Sequence, residues 1–291
     1  MSEAWAPPGL LAGRYHLERE LGRGGMGVVY RARDLLHEQF GEPGSSVALK
    51  LLGEAFAACP DAHVLLYSEF ATTRSLRHAC VVRAFSFEVD SGSRTAFFTM
   101  ELLHGVTLDR LLLECPGGLS WPELQPMVLQ LLDALVYTHQ RNVLHGDVKP
   151  ANVMLSEEGI RLFDFGLGLA QAQVAAGLPS LSRNRFKAWT RAYAAPELLA
   201  GGALTAAADL YGVACIVYEL AQGKRLGEQQ PRHTLARPRQ LPRQCWPALR
   251  AALAVDPERR TLTVAELREA LGCTRRAWYL KEKTYPAKPC N

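Results

Sequence analysis

A change in sequence pattern near Gly105 constrains the fold of this chain more than any other feature. Before it, residues 15–50 alternate between apolar and polar side chains and are broken by glycines, which predicts strands joined by tight turns, and residues 95–103 predict a further strand. After it, residues 121–140 and 206–220 carry apolar side chains at helical spacing. The pattern predicts an α+β fold with a strand-rich lobe, a larger helical lobe and a cleft between them.

The predicted layout has four parts, and with 48% apolar content the 291 residues can bury one large core or two small ones. A segment rich in Pro and Gly predicts a flexible lead-in. The parts are a flexible lead-in over 1–13, an N-terminal lobe over 14–104, a C-terminal lobe over 105–272 and a basic tail over 273–291.

Composition argues against several classes of protein. The formal net charge of +4 is too small to indicate a nucleic-acid partner. Seven scattered cysteines without a C-x-x-C motif indicate neither a zinc site nor a disulfide framework, and they fit a reducing cytosol. The apolar run at 210–218 is too short to span a bilayer, and the N-terminus lacks a signal-peptide pattern. We therefore expect a cytoplasmic domain with no membrane span.

Basic residues are concentrated in two places. One is residues 183–191, and the other is residues 275–288 in the tail. Each is either a solvated basic face or a docking surface for an acidic partner, and the sequence does not decide between the two.

Two short motifs carry the chemistry. Residues 145–152 read H-G-D-V-K-P-A-N, and residues 164–166 read D-F-G. Phosphoryl transfer from ATP needs this set of groups: a carboxylate for the attacking hydroxyl, a cation for the moving phosphoryl group, and oxygen ligands for Mg²⁺. The spacing resembles the protein-kinase pattern H-x-D-x-K-P-x-N followed by D-F-G. Over about residues 14–271 the chain is similar to bacterial Hanks-type Ser/Thr protein kinases.

The resemblance implies a role for each polar residue of these motifs. Asp147 would accept or orient the substrate hydroxyl proton, and Lys149 would neutralise charge on the transferred group. Asn152 and Asp164 would bind Mg²⁺, or Mn²⁺, with ATP as co-substrate. The expected partners are thus ATP and protein substrates, acidic ones among them.

A glycine-rich segment at residues 22–29 reads G-x-G-x-x-G-x-V. A Rossmann dinucleotide site shares this glycine spacing, but its loop opens a helix. Here residues 28–33 are β-branched and alternating, so a hairpin over a nucleotide is favoured. Glycines let the backbone approach phosphates without a Cβ clash, and Val29 would cover the adenine face.

Lys50 ends the apolar strand V-A-L-K, which resembles the strand carrying the kinase lysine. A lysine there suits a cation aimed at the α- and β-phosphates, and it needs a partner. Glu69, on a helix predicted over 64–77, stands where the family has its helix-C glutamate. Taken alone, Glu69 would be a solvated carboxylate; with Lys50 in register, an ion pair is expected.

The remaining nucleotide contacts come from the resemblance alone. Met100 occupies the gatekeeper position and residues 101–103 the hinge. The full predicted nucleotide site is Leu21, Gly22, Gly24, Gly27, Val29, Ala48, Lys50, Met100, Glu101, Leu103 and Met154.

Structural anchors of the family also have counterparts in the C-terminal lobe. Glu197 lies in an A-P-E motif, Asp209 matches a buried helix aspartate, and Arg260 matches the arginine paired with that glutamate. A buried charge must be paired or hydrogen-bonded, which these residues would provide. Thr190 stands where Ser/Thr kinases place a threonine that bonds to the catalytic aspartate and lysine.

The sequence departs from the family in three places. Gly146 replaces the usual arginine before the catalytic aspartate, Trp189 replaces a glycine, and the segment 223–249 is shorter than usual. Without that arginine, a phosphate on Ser180 or Ser182 has no matching cation beside Asp147. We therefore expect activity that depends little on phosphorylation of this segment.

Three functions remain for the sequence to separate. The leading one is a Mg-ATP-dependent protein Ser/Thr kinase that also phosphorylates itself. A pseudokinase acting as a nucleotide-binding scaffold has no need for Lys50, Glu69, Asp147, Asn152 and Asp164 together. A small-molecule kinase of related fold typically lacks the A-P-E motif and the helix aspartate.

Overall fold

The computed structural model of the protein describes most of the chain. The described residues are 9–24, 27–42, 44–53, 62–166, 169–170, 192–226 and 234–273. Together they form the two-lobed α+β architecture that the sequence predicts: an antiparallel sheet with one main helix, followed by a helical lobe.

An antiparallel sheet of six strands forms the first lobe, with the strands in the order β1-β2-β3-β4-β6-β5. Side chains such as Leu49, Leu51 and Phe97 are fully buried, because the alternation of the sequence directs them to the inner face. The strands are β1 (Leu10–Leu11), β2 (Tyr15–Arg23), β3 (Gly27–Asp34), β4 (Ser46–Leu52), β5 (Ala84–Val89) and β6 (Ala96–Met100).

The first described residues pair with the sheet. Leu10 and Leu11 of β1 lie opposite His16 and Tyr15 of β2, and Leu11 is fully buried. The sequence placed these residues in a flexible lead-in over 1–13. They form a strand instead, because Leu11 contributes to the apolar cluster that also contains Tyr15 and Phe97.

A short helix, α1 (Leu35–Gln39), follows β3. The carboxylate of Asp34 accepts hydrogen bonds from the backbone N–H groups of Leu36 and His37 and so caps the helix. No residue of α1 is buried, so it leaves no apolar periodicity in the sequence.

The main helix of this lobe, α2 (Ala62–Ser75), packs on the sheet. Leu66 and Phe70 on one face contact Phe98 of β6 in a separate apolar cluster. This face fixes the orientation of Glu69, which lies between them in the sequence and points into the interior at 4% exposure.

Six helices are described in the second lobe. The longest, α4 (Trp121–Gln140), begins at a capping box in which the Glu123 carboxylate accepts hydrogen bonds from the Ser120 backbone and hydroxyl. Helix α6 (Ala206–Gln222) is buried on nearly all sides, as its continuous apolar sequence predicts. The helices are α3 (Leu108–Glu114), α4 (Trp121–Gln140), α5 (Pro196–Leu199), α6 (Ala206–Gln222), α7 (Trp246–Ala252) and α8 (Val264–Gly272).

Short strands lie where the two lobes meet. The strands β9 (Val153–Ser156) and β10 (Gly159–Leu162) form a hairpin that separates the two sequence motifs. Strand β8 (Val143–Leu144) ends one residue before His145. Backbone hydrogen bonds join Leu162 of β10 to Cys80 and Val82, which precede β5. These strands are β7 (Val106–Thr107), β8 (Val143–Leu144), β9 (Val153–Ser156), β10 (Gly159–Leu162) and β11 (Leu169–Ala170).

Within the described part of the chain, no helix is both long enough and apolar enough to cross a membrane.

Candidate active site

Asp209 on α6 holds the loop that contains the first motif. Its carboxylate accepts hydrogen bonds from the backbone N–H groups of His145, at 2.9 Å, and Gly146, at 2.8 Å. His139 Nε2 lies 2.8 Å from the same carboxylate. Burial favours a higher pKa for Asp209, but these hydrogen bonds outweigh it and the net pKa is lowered. Asp209 is therefore an ionised anchor inside the lobe.

The backbone of the loop is held in an uncommon conformation at Gly146. Its φ is +80°, a left-handed value that glycine adopts without steric cost. Next to it, the ring of His145 packs on Phe165 at 4.6 Å between centroids, and its Nε2 lies 3.0 Å from the carbonyl oxygen of Phe163. His145 thus connects the first motif to the second.

Asp147, Lys149 and Asn152 form one cluster on this loop. Lys149 Nζ lies 2.5 Å from Asp147 Oδ2, and Asn152 Nδ2 donates to the backbone carbonyl and the carboxylate of Asp147, at 2.9 and 3.2 Å. Burial raises the pKa of Asp147, although Lys149 opposes the shift. The carboxylate is therefore oriented from two sides and has a stronger affinity for a proton than a free aspartate.

Lys50 bridges the two lobes through two carboxylates. Its Nζ lies 2.5 Å from Glu69 Oε1 on α2 and 2.9 Å from Asp164 Oδ1. Burial favours a lower pKa for Lys50, but the two carboxylates raise it on balance, so the ammonium stays charged. The predicted Lys50–Glu69 ion pair is present.

The two carboxylates differ in their proton affinity. Burial raises the pKa of Glu69 to about 7, with Lys50 opposing the shift. Burial also works against ionised Asp164, but the charge of Lys50 dominates and lowers its pKa to about 2. Glu69 Oε2 is buried and has no hydrogen-bond partner among the described residues. At neutral pH, Asp164 is thus the permanent anion of the pair.

The backbone of Asp164 is strained. Its φ is +67°, in the left-handed region that aspartate visits seldom. Such a conformation costs about 1–3 kcal/mol and is found mostly at functional sites. It directs the carboxylate toward Lys50, with the side chain still 37% exposed.

These residues line one cavity of about 260 Å³ between the lobes. Eleven of its lining residues were predicted from sequence, namely Gly22, Gly24, Gly27, Val29, Lys50, Glu69, Met100, Asp147, Lys149, Asn152 and Asp164. At Gly27 a Cβ atom would collide with the carbonyl oxygen of Leu51, so only glycine fits where β3 begins.

The remaining predicted nucleotide contacts are not part of the lining of this cavity. Glu101 and Leu103 line a neighbouring cavity at the hinge, Ala48 is buried in β4 opposite Met100, Leu21 is exposed on β2, and Met154 lies in β9. Sequence reasoning missed three lining residues, Arg23, Ala151 and Phe163. Each directly adjoins a motif residue in the sequence, which is the signal that could have found them.

The donor set suits a magnesium ion bound to a nucleotide. Asp164 and Asn152 offer oxygen atoms, the ligand type that Mg²⁺ prefers. The described residues contain no cluster of three His, Cys, Asp or Glu side chains that could enclose a metal unaided. Mg²⁺ is typically bound by one or two carboxylates together with substrate phosphates, so the residues present fit that mode.

The second anchor of the lobe is the ion pair between Arg260 and Glu197. The guanidinium of Arg260 contacts both carboxylate oxygens of Glu197. It also donates to the backbone carbonyls of Ala254, at 2.9 Å, and Ala207, at 2.7 Å. This pair connects α5 to the turn before α8, as the sequence predicted.

Several predicted residues lie outside the described part of the chain. These are Ser180, Ser182, the basic cluster at 183–191, Trp189, Thr190 and the basic residues of the tail after 273.

Comparison with known proteins gives consistent results. A family model described as the protein kinase domain matches residues 15–267. The Ser/Thr-protein kinase PkaA of Streptomyces coelicolor is 33% identical over 265 residues, covering 85% of this chain and 47% of that protein. Ser/Thr-protein kinase PknB of Mycolicibacterium smegmatis is 30% identical over 282 residues, covering 91% of this chain and 43% of that protein. The chain thus spans less than half the length of these curated relatives.

Among solved structures, a mutant form of the Mycobacterium tuberculosis PknI kinase domain superposes with a TM-score of 0.68 at 29% identity. The alignment covers 92% of this chain and 98% of that one. The likeness extends over both lobes.

Proposed function

The chain belongs to the protein kinase family, and we propose that it transfers the γ-phosphoryl group of ATP to serine or threonine hydroxyls of protein substrates. One observation carries the proposal: Lys50, Glu69, Asp147, Lys149, Asn152 and Asp164 converge on a single cavity. Phosphoryl transfer depends almost entirely on positioning and on charge stabilisation, and this cavity combines groups suited to both.

The chain's own residues divide this work. Lys50, held by Glu69, would bind the α- and β-phosphates. The carboxylate of Asp147 would orient the attacking hydroxyl and take its proton as the new O–P bond forms and the bond from the γ-phosphorus to ADP breaks, and its raised pKa suits that task. Lys149, 2.5 Å away, would neutralise charge on the transferred group.

Asn152 and Asp164 would hold Mg²⁺, or Mn²⁺ in its place. When bound, the metal supplies positive charge that neutralises the phosphate oxygens. In the structure the carboxylate of Asp164 contacts Lys50, and the same carboxylate would help to hold the metal when a nucleotide is bound.

A nucleotide-binding scaffold without transfer is the second candidate, and no observation favours it. A scaffold needs no oriented carboxylate at the hydroxyl position, whereas Asp147 receives hydrogen bonds from both Lys149 and Asn152. The acidic character of the substrates, autophosphorylation and the cytoplasmic location stay predictions.

Replacing Asp147 with asparagine tests the proposal. The purified protein is incubated with labelled ATP and a protein extract, and the phosphosites are mapped. We expect phosphoserine and phosphothreonine, and a loss of about 10²–10⁴-fold in turnover for Asp147→Asn, because the orienting carboxylate is removed. Nucleotide affinity should change little in Asp147→Asn, whereas Asp164→Ala should weaken it. Wild-type turnover in Asp147→Asn would refute the assignment.

A further inference from the structure

A second groove, of about 690 Å³, lies where α2 ends and β5 begins. It has no lining residue in common with the catalytic cavity. Its lining consists of Arg74, Leu76, Arg77, His78, Ala79, Arg83, Ala84 and Phe85.

The groove is positively charged. Among the residues that the structure describes, three arginines line it and no carboxylate does. The side chains of Arg77 and Arg83 are exposed, and their guanidinium groups make no hydrogen bond or ion pair with a residue that the structure describes. Only the backbones of these two residues are engaged, at Tyr137 and Glu101 respectively. Unmatched cations in a concave surface attract an anionic ligand.

The third arginine has a structural role in addition. The guanidinium of Arg74 lies 5.6 Å from the ring centre of Phe70 and 3.5 Å from the backbone carbonyl of Phe85. It therefore joins the last turn of α2 to β5 across the groove. His78, the remaining titratable group of the lining, packs on Tyr137. Its burial lowers its pKa, so at neutral pH it adds little charge.

An apolar surface adjoins the cations. The side chain of Phe85 is 48% exposed although it is large and aromatic. Leu76 and Ala84 continue the apolar part of the lining. A ligand that combines an anion with an apolar group fits this arrangement better than a free ion does.

Phosphate matches the arginines better than carboxylate does. A phosphorylated serine or threonine carries about −1.5 to −2 charge at neutral pH and offers three acceptor oxygens, whereas a carboxylate offers one charge. The planar guanidinium binds phosphate through two parallel hydrogen bonds. The proposed function also produces such groups on proteins.

We propose that this groove binds phosphorylated serine or threonine segments of proteins, with the phosphate at Arg77 and Arg83 and a neighbouring apolar side chain at Phe85. This proposal rests on the proposed kinase activity, because that activity would produce the phosphorylated proteins. The segment would lie against Arg74 in the last turn of α2, five residues after Glu69, which is about 7.5 Å along the helix axis.

Fluorescence polarisation tests the binding directly. The probe is a labelled peptide library with one fixed phosphoserine next to a leucine, and its matched libraries carry serine or glutamate in place of the phosphoserine. We expect the phosphorylated library to bind about tenfold or more tightly than either, because the phosphate adds charge and a bidentate contact. Absence of binding, or equal binding by the glutamate library, would overturn the proposal.

Substitution of the two unpaired arginines locates the site. Arg77→Ala with Arg83→Ala should lose about tenfold in affinity, and the double lysine variant should lose less, since it keeps the charge without the fork. Arg250→Ala, an exposed arginine on α7, is the matched control and should bind as wild type. Undiminished binding in the double alanine variant would place the ligand elsewhere and overturn the proposal.

Three further measurements separate this proposal from its alternatives. Binding is measured without ATP and repeated with Asp147→Asn, so that a chain unable to transfer phosphate would still bind the peptide. The free energy of unfolding of the double alanine variant should stay within about 0.5 kcal/mol of wild type, because both side chains are exposed and unpaired. Equally strong competition by a single-stranded oligonucleotide would show a general anion surface and overturn the proposal.

Discussion

Two largely buried ion pairs, Arg260–Glu197 and Lys50–Glu69, are built differently. The guanidinium of Arg260 is saturated by both oxygens of Glu197 and by backbone carbonyls, and its side chain is fully buried. Lys50 contacts only two carboxylates among the described residues. Glu69 Oε2 has no hydrogen-bond partner among them. The Arg260–Glu197 pair therefore cannot bind a further ligand. The Lys50–Glu69 pair still can.

This difference indicates that the Arg260–Glu197 pair stabilises the fold, whereas the Lys50–Glu69 pair is available for the reaction. A saturated buried pair holds two elements in place and loses much stability when one partner is removed. A pair with spare donors and acceptors at a cavity can exchange contacts with an incoming substrate. Substitutions in the two pairs should therefore affect different quantities, stability in one and activity in the other.

The largest effect is expected for Arg260→Ala. It leaves Glu197 and several buried carbonyls without a donor, so the free energy of unfolding should fall by about 3–5 kcal/mol. Urea denaturation followed by circular dichroism measures this. The matched control is Arg259→Ala, whose side chain is 81% exposed and which should change the value by less than about 0.5 kcal/mol. Equal effects of the two substitutions would show that the Arg260 pair is no anchor.

Lys50→Met should show the opposite behaviour. Phosphoryl transfer should fall by about 10²–10³-fold, equivalent to about 2.7–4 kcal/mol, because the cation at the phosphates is lost. The free energy of unfolding should change by less than about 1 kcal/mol, since methionine fills the space and Glu69 can take up a proton. A destabilisation as large as that of Arg260→Ala would contradict the distinction.

The pH dependence of activity should follow Glu69. With its pKa raised to about 7, Glu69 is ionised to about 90% at about pH 8 and to about 10% at about pH 6, so kcat/KM should fall about tenfold between them. Asp164, with its pKa lowered to about 2, stays ionised throughout. Glu69→Gln should be less active and show no such fall. A persistent fall in that variant would assign it to another group, such as Asp147.

Stability should change with pH in the opposite direction. A carboxyl group whose pKa is raised on folding favours the folded state at low pH, and this contribution is lost as the pH rises from about 4.5 to about 7. Over that interval the free energy of unfolding should fall in wild type relative to Glu69→Gln. Urea denaturation at several pH values measures the difference, and a rise instead of a fall would contradict the raised pKa.

The smallest effect is expected for Ser180→Ala with Ser182→Ala. Gly146 has no charge for a phosphate to match, so transfer to an exogenous substrate should change less than about threefold, or about 0.65 kcal/mol. Radiolabelled phosphate incorporation measures this. A loss of about a hundredfold, about 2.7 kcal/mol, would show that another cation replaces the arginine.

The sequence predicted long elements and motif positions well. Helix α4 begins and ends at Trp121 and Gln140 as predicted, because its apolar spacing and its capping box agree. The Lys50–Glu69 pair was predictable since the motif spacing fixes both positions. In each case a local pattern and the tertiary fold require the same arrangement.

Prediction from the sequence was wrong or incomplete where contacts between distant parts of the chain determine the local structure. Leu11 was assigned to a flexible segment, but its burial depends on Phe97, far along the chain. Helix α1 has no buried face and therefore no periodicity to detect. The left-handed backbone of Asp164 depends on packing between the motifs, which no spacing rule expresses.

A crystal structure with a non-hydrolysable ATP analogue and Mg²⁺ tests the central claim most directly. Lys50 Nζ should move within about 4 Å of an α- or β-phosphate oxygen while keeping Glu69, with Asp164 and Asn152 on the metal and the Arg260–Glu197 pair unchanged. A Lys50 that stays on Asp164 and contacts no phosphate would contradict the account.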